Sequence, residues 1–113
     1  MFKFSFDLDC KVAIYIPSTI NAVEACDNTP FVRRALETLC TMFGGATSSA
    51  AVGGWMSPNH GLITEAVTVV YAFCSSDDLA ARFPDIVNFC QSLKKDMAQE
   101  AILVEVNGQC KFI

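Results

Sequence analysis

Residues 2–16, FKFSFDLDCKVAIYI, decide the fold. Every even-numbered position in this stretch is apolar, whereas most odd positions carry polar side chains, namely Lys3, Ser5, Asp7, Asp9 and Lys11. Because successive side chains of a β-strand point to opposite faces, this parity predicts one extended strand with one buried face. Helix and strand signals then alternate along the rest of the chain, so the ribbon is expected to belong to a mixed sheet and helix domain.

The first helix is predicted to begin at Thr29 and to end at Gly44-Gly45. Thr29 is a hydroxyl N-cap, and Pro30 suits the first helical position, where its missing N–H leaves nothing unsatisfied. An apolar stripe at helical spacing follows, formed by Phe31, Ala35, Leu36, Leu39, Met42 and Phe43. Glycine directly after the stripe is typical of a helix C-terminus.

Two strands joined by a turn are predicted next, at Thr47–Met56 and Leu62–Cys74, with the turn at residues 57–61. The second strand is rich in β-branched and aromatic residues, which favour strands. Both of its faces are largely apolar, so we expect a central strand that is covered on both sides.

A second helical region is predicted from Ser75, which is followed by first-turn acids that complement the helix dipole. Pro84 interrupts the pattern, since proline breaks helix interiors. We therefore expect a short helical turn before Pro84 and a main helix from Pro84 to about Met97.

The chain is predicted to close with a hairpin. Ala101–Val106 and Gln109–Ile113 are strands, and Asn107-Gly108 between them is the strongest short hairpin signal. The whole order predicts a single α+β domain over residues 1–113. Its expected architecture is a ferredoxin-like βαββαβ antiparallel sheet with two helices on one face and a short C-terminal hairpin strand.

The composition is unusually apolar, with 52% hydrophobic and 18% charged residues among 113. Soluble domains carry about 25% charged residues. An unusually apolar core is one interpretation. The other is that a second copy or another protein covers the free sheet face, which favours a homodimer.

The net charge of −4 comes from dispersed acids, and the basic residues form only small pairs. No basic stripe could neutralise a row of phosphates, so direct nucleic-acid binding is not expected. An acidic surface suits a basic protein partner. No apolar run approaches the roughly 20 residues of a membrane span, so no membrane partner is expected.

The six cysteines are predicted to be reduced thiols. Three lie in strand-like segments, Cys40 and Cys90 lie on the apolar stripes of the helices, and Cys26 is in a loop. With no secretory leader at the N-terminus, this placement predicts a cytoplasmic protein. No cysteine pair has zinc or redox spacing, so neither a metal nor a cofactor is expected.

The candidate ligand-pocket residues are Ser18 and Thr19, from the polar loop Pro17–Asn28, together with Glu65, Tyr71 and His60. A pocket between the sheet and this loop would bring them together. His60 can equally be a solvated turn residue, because histidine catalysis needs a partner within reach.

Glu65 lies on an apolar strand face, where a carboxylate must be paired or is held partly protonated. Its expected partner is Arg33, Arg34 or a backbone donor. A paired structural acid is the simpler interpretation of Glu65, and a catalytic acid is the alternative.

The candidate interface residues are Trp55, Met56, Asp77 and Asp78. Tryptophan and methionine are enriched in interface cores, so Trp55 with Met56 could be an exposed anchor on an edge strand. The alternative, equally supported, is that Trp55 caps the core of its own domain.

Three segments, at residues 11–21 (KVAIYIPSTIN), 43–47 (FGGAT) and 99–108 (QEAILVEVNG), carry a family resemblance. Together they resemble a group of short bacterial proteins of phages and mobile elements, to which no activity is attached. The resemblance implies a protein that acts by binding, in the manner of anti-CRISPR proteins.

The residues and this resemblance lead to two expectations about function. The first is a non-enzymatic interaction module, of which an inhibitor of a host defence nuclease is the most concrete form. The alternative is a small ligand-binding protein or enzyme that uses the pocket beside the 17–28 loop.

Overall fold

The computed structural model describes residues 7–20 and 24–113 as an α+β domain. Its elements in chain order are β1 (Cys10–Pro17), β2 (Thr19–Ile20), β3 (Glu24–Ala25), α1 (Thr29–Phe43), β4 (Thr47–Ser57), β5 (Gly61–Cys74), α2 (Ser76–Asp96), β6 (Leu103–Val106) and β7 (Gln109–Phe112). The main sheet is antiparallel with strand order β4-β5-β1-β6-β7, and β2 pairs with β3 separately. The β2–β3 pair and the extra strand β7 depart from a simple βαββαβ order.

The predicted parity of the first strand is confirmed within β1, where Cys10, Val12, Ile14 and Ile16 are all buried. The predicted length is wrong for residues 7–9, which are not strand, and residues 2–6 lie outside the described residues. In the strand register Cys10 lies opposite Cys74, the last residue of β5. The strand begins there because β5 offers no backbone partner beyond Cys74.

Helix α1 ends as predicted, with Gly44 in the left-handed conformation at φ 88°. Its N-cap is Asn28 rather than Thr29, and Asn28 makes no side-chain cap. The Asn28 amide instead donates to the carbonyls of Ile16 and Pro17 and to the Thr68 hydroxyl. This side chain therefore ties the start of α1 to β1 and β5.

Helix α2 is continuous, so the predicted interruption at Pro84 is wrong. Proline has no N–H, so Pro84 cannot donate the usual helical hydrogen bond to the Ala80 carbonyl. Both Pro84 and Ala80 are exposed. Water can satisfy that carbonyl, while Phe83 and the fully buried Ile86 anchor the helix to the core. The predicted cap is confirmed, because the Ser75 side chain accepts a hydrogen bond from the Asp78 N–H at 3.1 Å.

The core lies between the two helices and one face of the sheet, where Val70, Ala72 and Cys74 of β5 are buried. The other face, called here the open face, carries Val67, Val69 and Tyr71, which are half-buried, and the exposed Phe73. One chain thus covers only one face of β5, and cover of the open face by a second copy or a partner stays a prediction.

All six cysteines are free thiols. Cys90 is buried on α2 as predicted, whereas Cys40 is exposed and does not belong to the apolar stripe of α1. Cys40 follows the buried Leu39, and one residue turns a helix by about 100°, which takes Cys40 off the buried face. Among the described residues, no helix is both long and apolar enough to cross a bilayer.

The β4–β5 hairpin extends well past the rest of the sheet. Strands β4 and β5 pair from Thr47 with Tyr71 to Ser57 with Gly61, but β1 pairs with β5 only as far as Val67. We call residues 52–66 the hairpin arm. Its two strands have no third strand beside them in the main sheet.

Candidate functional site

A recess of about 410 Å³ opens beside the base of the hairpin arm, between β4 and β6. Its walls are mostly apolar and come from β1, β4 to β7 and the α2–β6 connection: Tyr15, Pro17, Ala51, Val52, Gly53, Val67, Gln99, Ala101, Ile102, Leu103 and Phe112. Neither Lys nor Arg is among these lining residues. A recess of this kind suits a ligand with an apolar body.

One polar group at the recess is the pair formed by Tyr15 and Glu105. Ala13 is the register partner of Glu105, so Tyr15 lies on the same face two residues along β1. The Tyr15 hydroxyl donates a hydrogen bond to Glu105 Oε1 at 3.0 Å. This hydrogen bond, reinforced by burial and by the negative charge of Glu105, raises the pKa of the Tyr15 phenol above 10.0.

Glu65 stands at the other end of the recess. It is the register partner of Gly53, a lining residue, and lies two residues before Val67 on the same face. Its Oε1 accepts hydrogen bonds from the Ser18 N–H at 3.3 Å and from the Thr19 hydroxyl at 3.0 Å.

The partner of Glu65 is thus the backbone and hydroxyl of the loop after β1, as one of the sequence alternatives proposed. The two arginines are engaged elsewhere: Arg33 pairs with Glu37 at 3.2 Å and Arg34 with Asp96 at 2.8 Å.

Gln99 also holds this loop. Its Nε2 donates to the Thr19 carbonyl at 2.7 Å, while the residue itself lines the recess. Thr19 is therefore fixed by a carboxylate through its hydroxyl and by an amide through its carbonyl. This double attachment gives the rim of the recess a defined shape.

The two carboxylates are too far apart to act on one atom. Glu105 is the register partner of Ala13 on β1. Glu65 lies two residues from Val67 on β5, and Val67 is the register partner of Pro17. Six residues of strand separate these positions, which is roughly 20 Å between Cα atoms. Each acid therefore lies near a different end of the recess.

The predicted pocket residues are brought together only in part. Ser18, Thr19 and Glu65 form one hydrogen-bonded cluster. Tyr71 lies further along the open face, with the Lys11 amine 4.7 Å from its ring centre. His60 is exposed in the turn of the β4–β5 hairpin, which fits the interpretation as a solvated turn residue.

The predicted interface residues occupy two separate places. Trp55 and Met56 lie on the hairpin arm and are 61% and 70% exposed, so the alternative in which Trp55 caps its own core is wrong. Asp77 and Asp78 lie in the first turn of α2, just after the opposite end of β5. A single small surface does not contain both pairs.

Sequence reasoning missed Tyr15, Glu105 and Gln99 as site residues. Tyr15 did carry a signal, because it is an aromatic residue at an odd position of β1, where polar residues were expected. Its partner is 90 residues away, and only the sheet register brings the two together. Within residues 7–20 and 24–113, no three His, Cys, Asp or Glu side chains gather into a metal-binding group.

No protein-family model matches the sequence, and no curated protein matches it. Two solved structures are similar in fold. One is a phage SAM lyase in complex with S-methyl-5'-thioadenosine, with a TM-score of 0.66 and 16% identity over 98% of this chain and 95% of that chain. The other is a phage SAM lyase in the apo state, with a TM-score of 0.68 and 15% identity over 100% of this chain and 94% of that chain.

Proposed function

We propose that this protein is a phage-type lyase that binds S-adenosylmethionine in the recess and cleaves it to S-methyl-5'-thioadenosine. The observation that carries the proposal is a similarity in fold along nearly the whole length of both chains. The recess adds independent support, because its chemistry matches this substrate better than a phosphorylated or strongly anionic one.

The substrate combines an apolar body with separate positive charges. The adenine ring and the S-methyl group can pack on apolar walls such as Val67, Leu103 and Phe112. The sulfonium and the α-ammonium groups are cations, and the acids Glu65 and Glu105 flank the recess. The sulfonium and the α-ammonium are joined through only three carbon atoms, so a single acid at one end of the recess can attract both cations.

The reaction breaks the bond between the sulfur and the γ-carbon of the methionine chain. The bonding electrons go to sulfur, which becomes a neutral thioether. The four-carbon fragment completes its valence by losing a β-proton to a base or by forming a bond from its own carboxylate oxygen to the γ-carbon. Because the sulfonium charge disappears, a site that excludes water favours the change.

The residues around the recess supply orientation. Tyr15 presents its aromatic ring to the cavity and fixes one oxygen of Glu105, which leaves the second oxygen for a ligand. Glu65 and Gln99 hold the rim at Thr19. Fixed contacts of this kind select the substrate conformation from which the bond can break.

A turnover assay tests the proposal. The purified protein is incubated with S-adenosylmethionine, and S-methyl-5'-thioadenosine is measured by liquid chromatography. The wild type should form product. Glu65→Gln should lower the rate at least about 10-fold, because the loss of a carboxylate that positions the substrate misplaces the reacting groups.

Glu24→Gln is the matched control, since Glu24 is exposed on β3. It should leave the rate unchanged. The absence of both product formation and calorimetric binding of S-methyl-5'-thioadenosine to the wild type would overturn the proposal.

A non-enzymatic interaction module, directed at a host defence nuclease or another larger partner, stays as a second proposal. The observation that favours it is the pair of exposed residues Trp55 and Met56. Trp55→Ala, or charge reversal at Asp77 and Asp78, should abolish capture of the partner in a pull-down. Unchanged capture by both variants would rule out these two surfaces.

We also propose that the sheet is a ferredoxin-like sheet extended at one edge by β7. The order β1, α1, β4, β5, α2, β6 supports this assignment, because it is a βαββαβ succession once the short β2–β3 pair is set aside.

A further inference from the structure

We propose that Thr19 is a positioning residue for Glu65, and that it leaves one oxygen of this carboxylate free for the cationic end of the substrate. This inference rests on the proposed lyase function and deepens it, because it assigns a role to a hydroxyl that acts through Glu65. Its basis is the pattern of hydrogen bonds on Glu65 and on Thr19.

Both donors to Glu65 bind the same oxygen. The Ser18 N–H and the Thr19 hydroxyl donate to Oε1, and no described residue donates to Oε2. Oε2 is not buried either, since every buried side-chain oxygen in the described part of the chain has a hydrogen-bond partner. The carboxylate is thus fixed through one oxygen, while the other is accessible to a ligand.

No basic side chain competes for Glu65. It forms no salt bridge within residues 7–20 and 24–113, and neither Lys nor Arg lines the recess. Neutral donors orient a carboxylate without cancelling its charge. The free oxygen therefore suits a positively charged donor, which makes the shorter and stronger kind of hydrogen bond.

The α-ammonium group of S-adenosylmethionine is the donor that fits this oxygen. It carries three N–H bonds, whereas the sulfonium has no hydrogen on sulfur and cannot donate. The ammonium also keeps its charge while the carbon–sulfur bond breaks, so a contact with it holds the substrate and the transition state alike. Loss of such a contact raises KM more than it lowers kcat.

The backbone of Thr19 is held on two sides. Thr19 is the register partner of Ala25 in the β2–β3 pair, and its carbonyl accepts the hydrogen bond from Gln99 Nε2 at 2.7 Å. Gln99 is anchored in turn, because its N–H donates to the Lys94 carbonyl at 2.9 Å at the end of α2. Thr19 therefore presents its hydroxyl to Glu65 from a fixed place, as a positioning residue must.

Thr19→Val tests the role of the hydroxyl, because it replaces that group with a methyl of similar size and leaves the backbone contacts in place. Its KM for S-adenosylmethionine should rise about 10-fold while kcat changes less, since the lost bond is made to a charged group. Initial rates of S-methyl-5'-thioadenosine formation over a range of substrate concentrations give both constants. Thr19→Ser keeps the hydroxyl and should have a KM within about 2-fold of the wild type.

Calorimetric binding of S-methyl-5'-thioadenosine separates positioning from damage to the recess. This compound has neither the ammonium nor the sulfonium, so its Kd should not depend on the orientation of Glu65. Thr19→Val should bind it within about 2-fold of the wild type. A loss of this binding as large as the rise in KM would mean that the substitution disturbs the whole recess, and would overturn the proposal.

Thr41→Val is the matched control, because the Thr41 hydroxyl also makes one hydrogen bond, to the Glu37 carbonyl at 2.8 Å on exposed α1. It should leave KM, kcat and Kd unchanged. Circular dichroism should show that the variants are folded, and Thr19→Ala, which removes the same hydroxyl, decides the matter if Thr19→Val is not.

The two proposals fail in different ways. An unchanged KM in folded Thr19→Val, with product formed by the wild type, would overturn the role of Thr19 and leave the lyase proposal intact. A wild type that neither forms product nor binds S-methyl-5'-thioadenosine would overturn both.

Discussion

The hydroxyl of Tyr15 is hydrogen-bonded to the carboxylate of Glu105 across the boundary between β1 and β6, with 3.0 Å between the two oxygens. The bond holds a phenol at the wall of the recess and orients the carboxylate beside it. Only the protonated phenol can donate this hydrogen bond, so ionisation of Tyr15 should destabilise the sheet.

Tyr15→Phe should lower the free energy of unfolding by about 0.5–1.5 kcal/mol, the usual net value of one hydrogen bond. Urea unfolding followed by circular dichroism measures this change. Tyr71→Phe is the matched control on the same sheet face, because no hydrogen bond from its hydroxyl is present among the described residues. An equal loss in both variants would mean that the Tyr15–Glu105 bond adds nothing.

Stability should fall at high pH through the ionisation of Tyr15. Its pKa is raised above 10.0 in the folded protein, so the folded state keeps the proton longer than the unfolded chain. This contribution is complete below pH 10.0 and is lost as the pH rises through the folded pKa. Urea midpoints measured across this range should decline more steeply for the wild type than for Tyr15→Phe. Parallel curves would contradict the assignment.

Four of the six thiols should form two groups that differ in their rate of reaction with a thiol reagent under native conditions. Cys40 and Cys110 are exposed and should react quickly. Burial raises the pKa of Cys74 to about 11 and that of Cys90 to about 12, so both are hidden and lack the reactive thiolate. They should react only after unfolding, which mass spectrometry of the labelled peptides can check. Fast native labelling of Cys90 would show that α2 opens.

Pro84→Ala should raise the free energy of unfolding by about 1 kcal/mol. The substitution restores an N–H in the middle of α2, and the gain is offset in part by a more flexible unfolded chain. Pro30→Ala is the matched control, because proline in the first turn of α1 interrupts no helical hydrogen bond. Thermal unfolding should show a higher midpoint for Pro84→Ala alone. A lower midpoint would mean that the proline ring is needed where it lies.

Periodicity and turn chemistry predicted much of the fold, because these signals are local. The buried parity of β1, the glycine end of α1 and the Asn107-Gly108 turn, with φ of 51° and 82°, all follow from a few neighbouring residues. Pro84 shows where local rules fail. Packing of the residues around Pro84 in α2 holds the helix together although the proline itself opposes it.

The site was less accessible from the sequence, because it depends on register between distant strands. Glu65 was recognised as an acid that needs a partner, and the strand face on which it lies was predicted correctly. Its partners, however, come from the loop after β1, 46 and 47 residues away. No periodicity in the chain indicates that Tyr15 and Glu105 lie on the same face of neighbouring strands, two residues apart in register.

The central position of β1 has a consequence for how the chain is made. This strand is synthesised before both of its neighbours in the sheet, since β5 and β6 end at Cys74 and Val106. During translation its apolar even-numbered residues have no β5 or β6 to pack beside until more than half of the chain has left the ribosome. At the usual rate of about 5–20 residues per second, that wait lasts several seconds, during which chaperones can bind it. The strand at the centre of the finished sheet is thus exposed to aggregation while the chain is being synthesised.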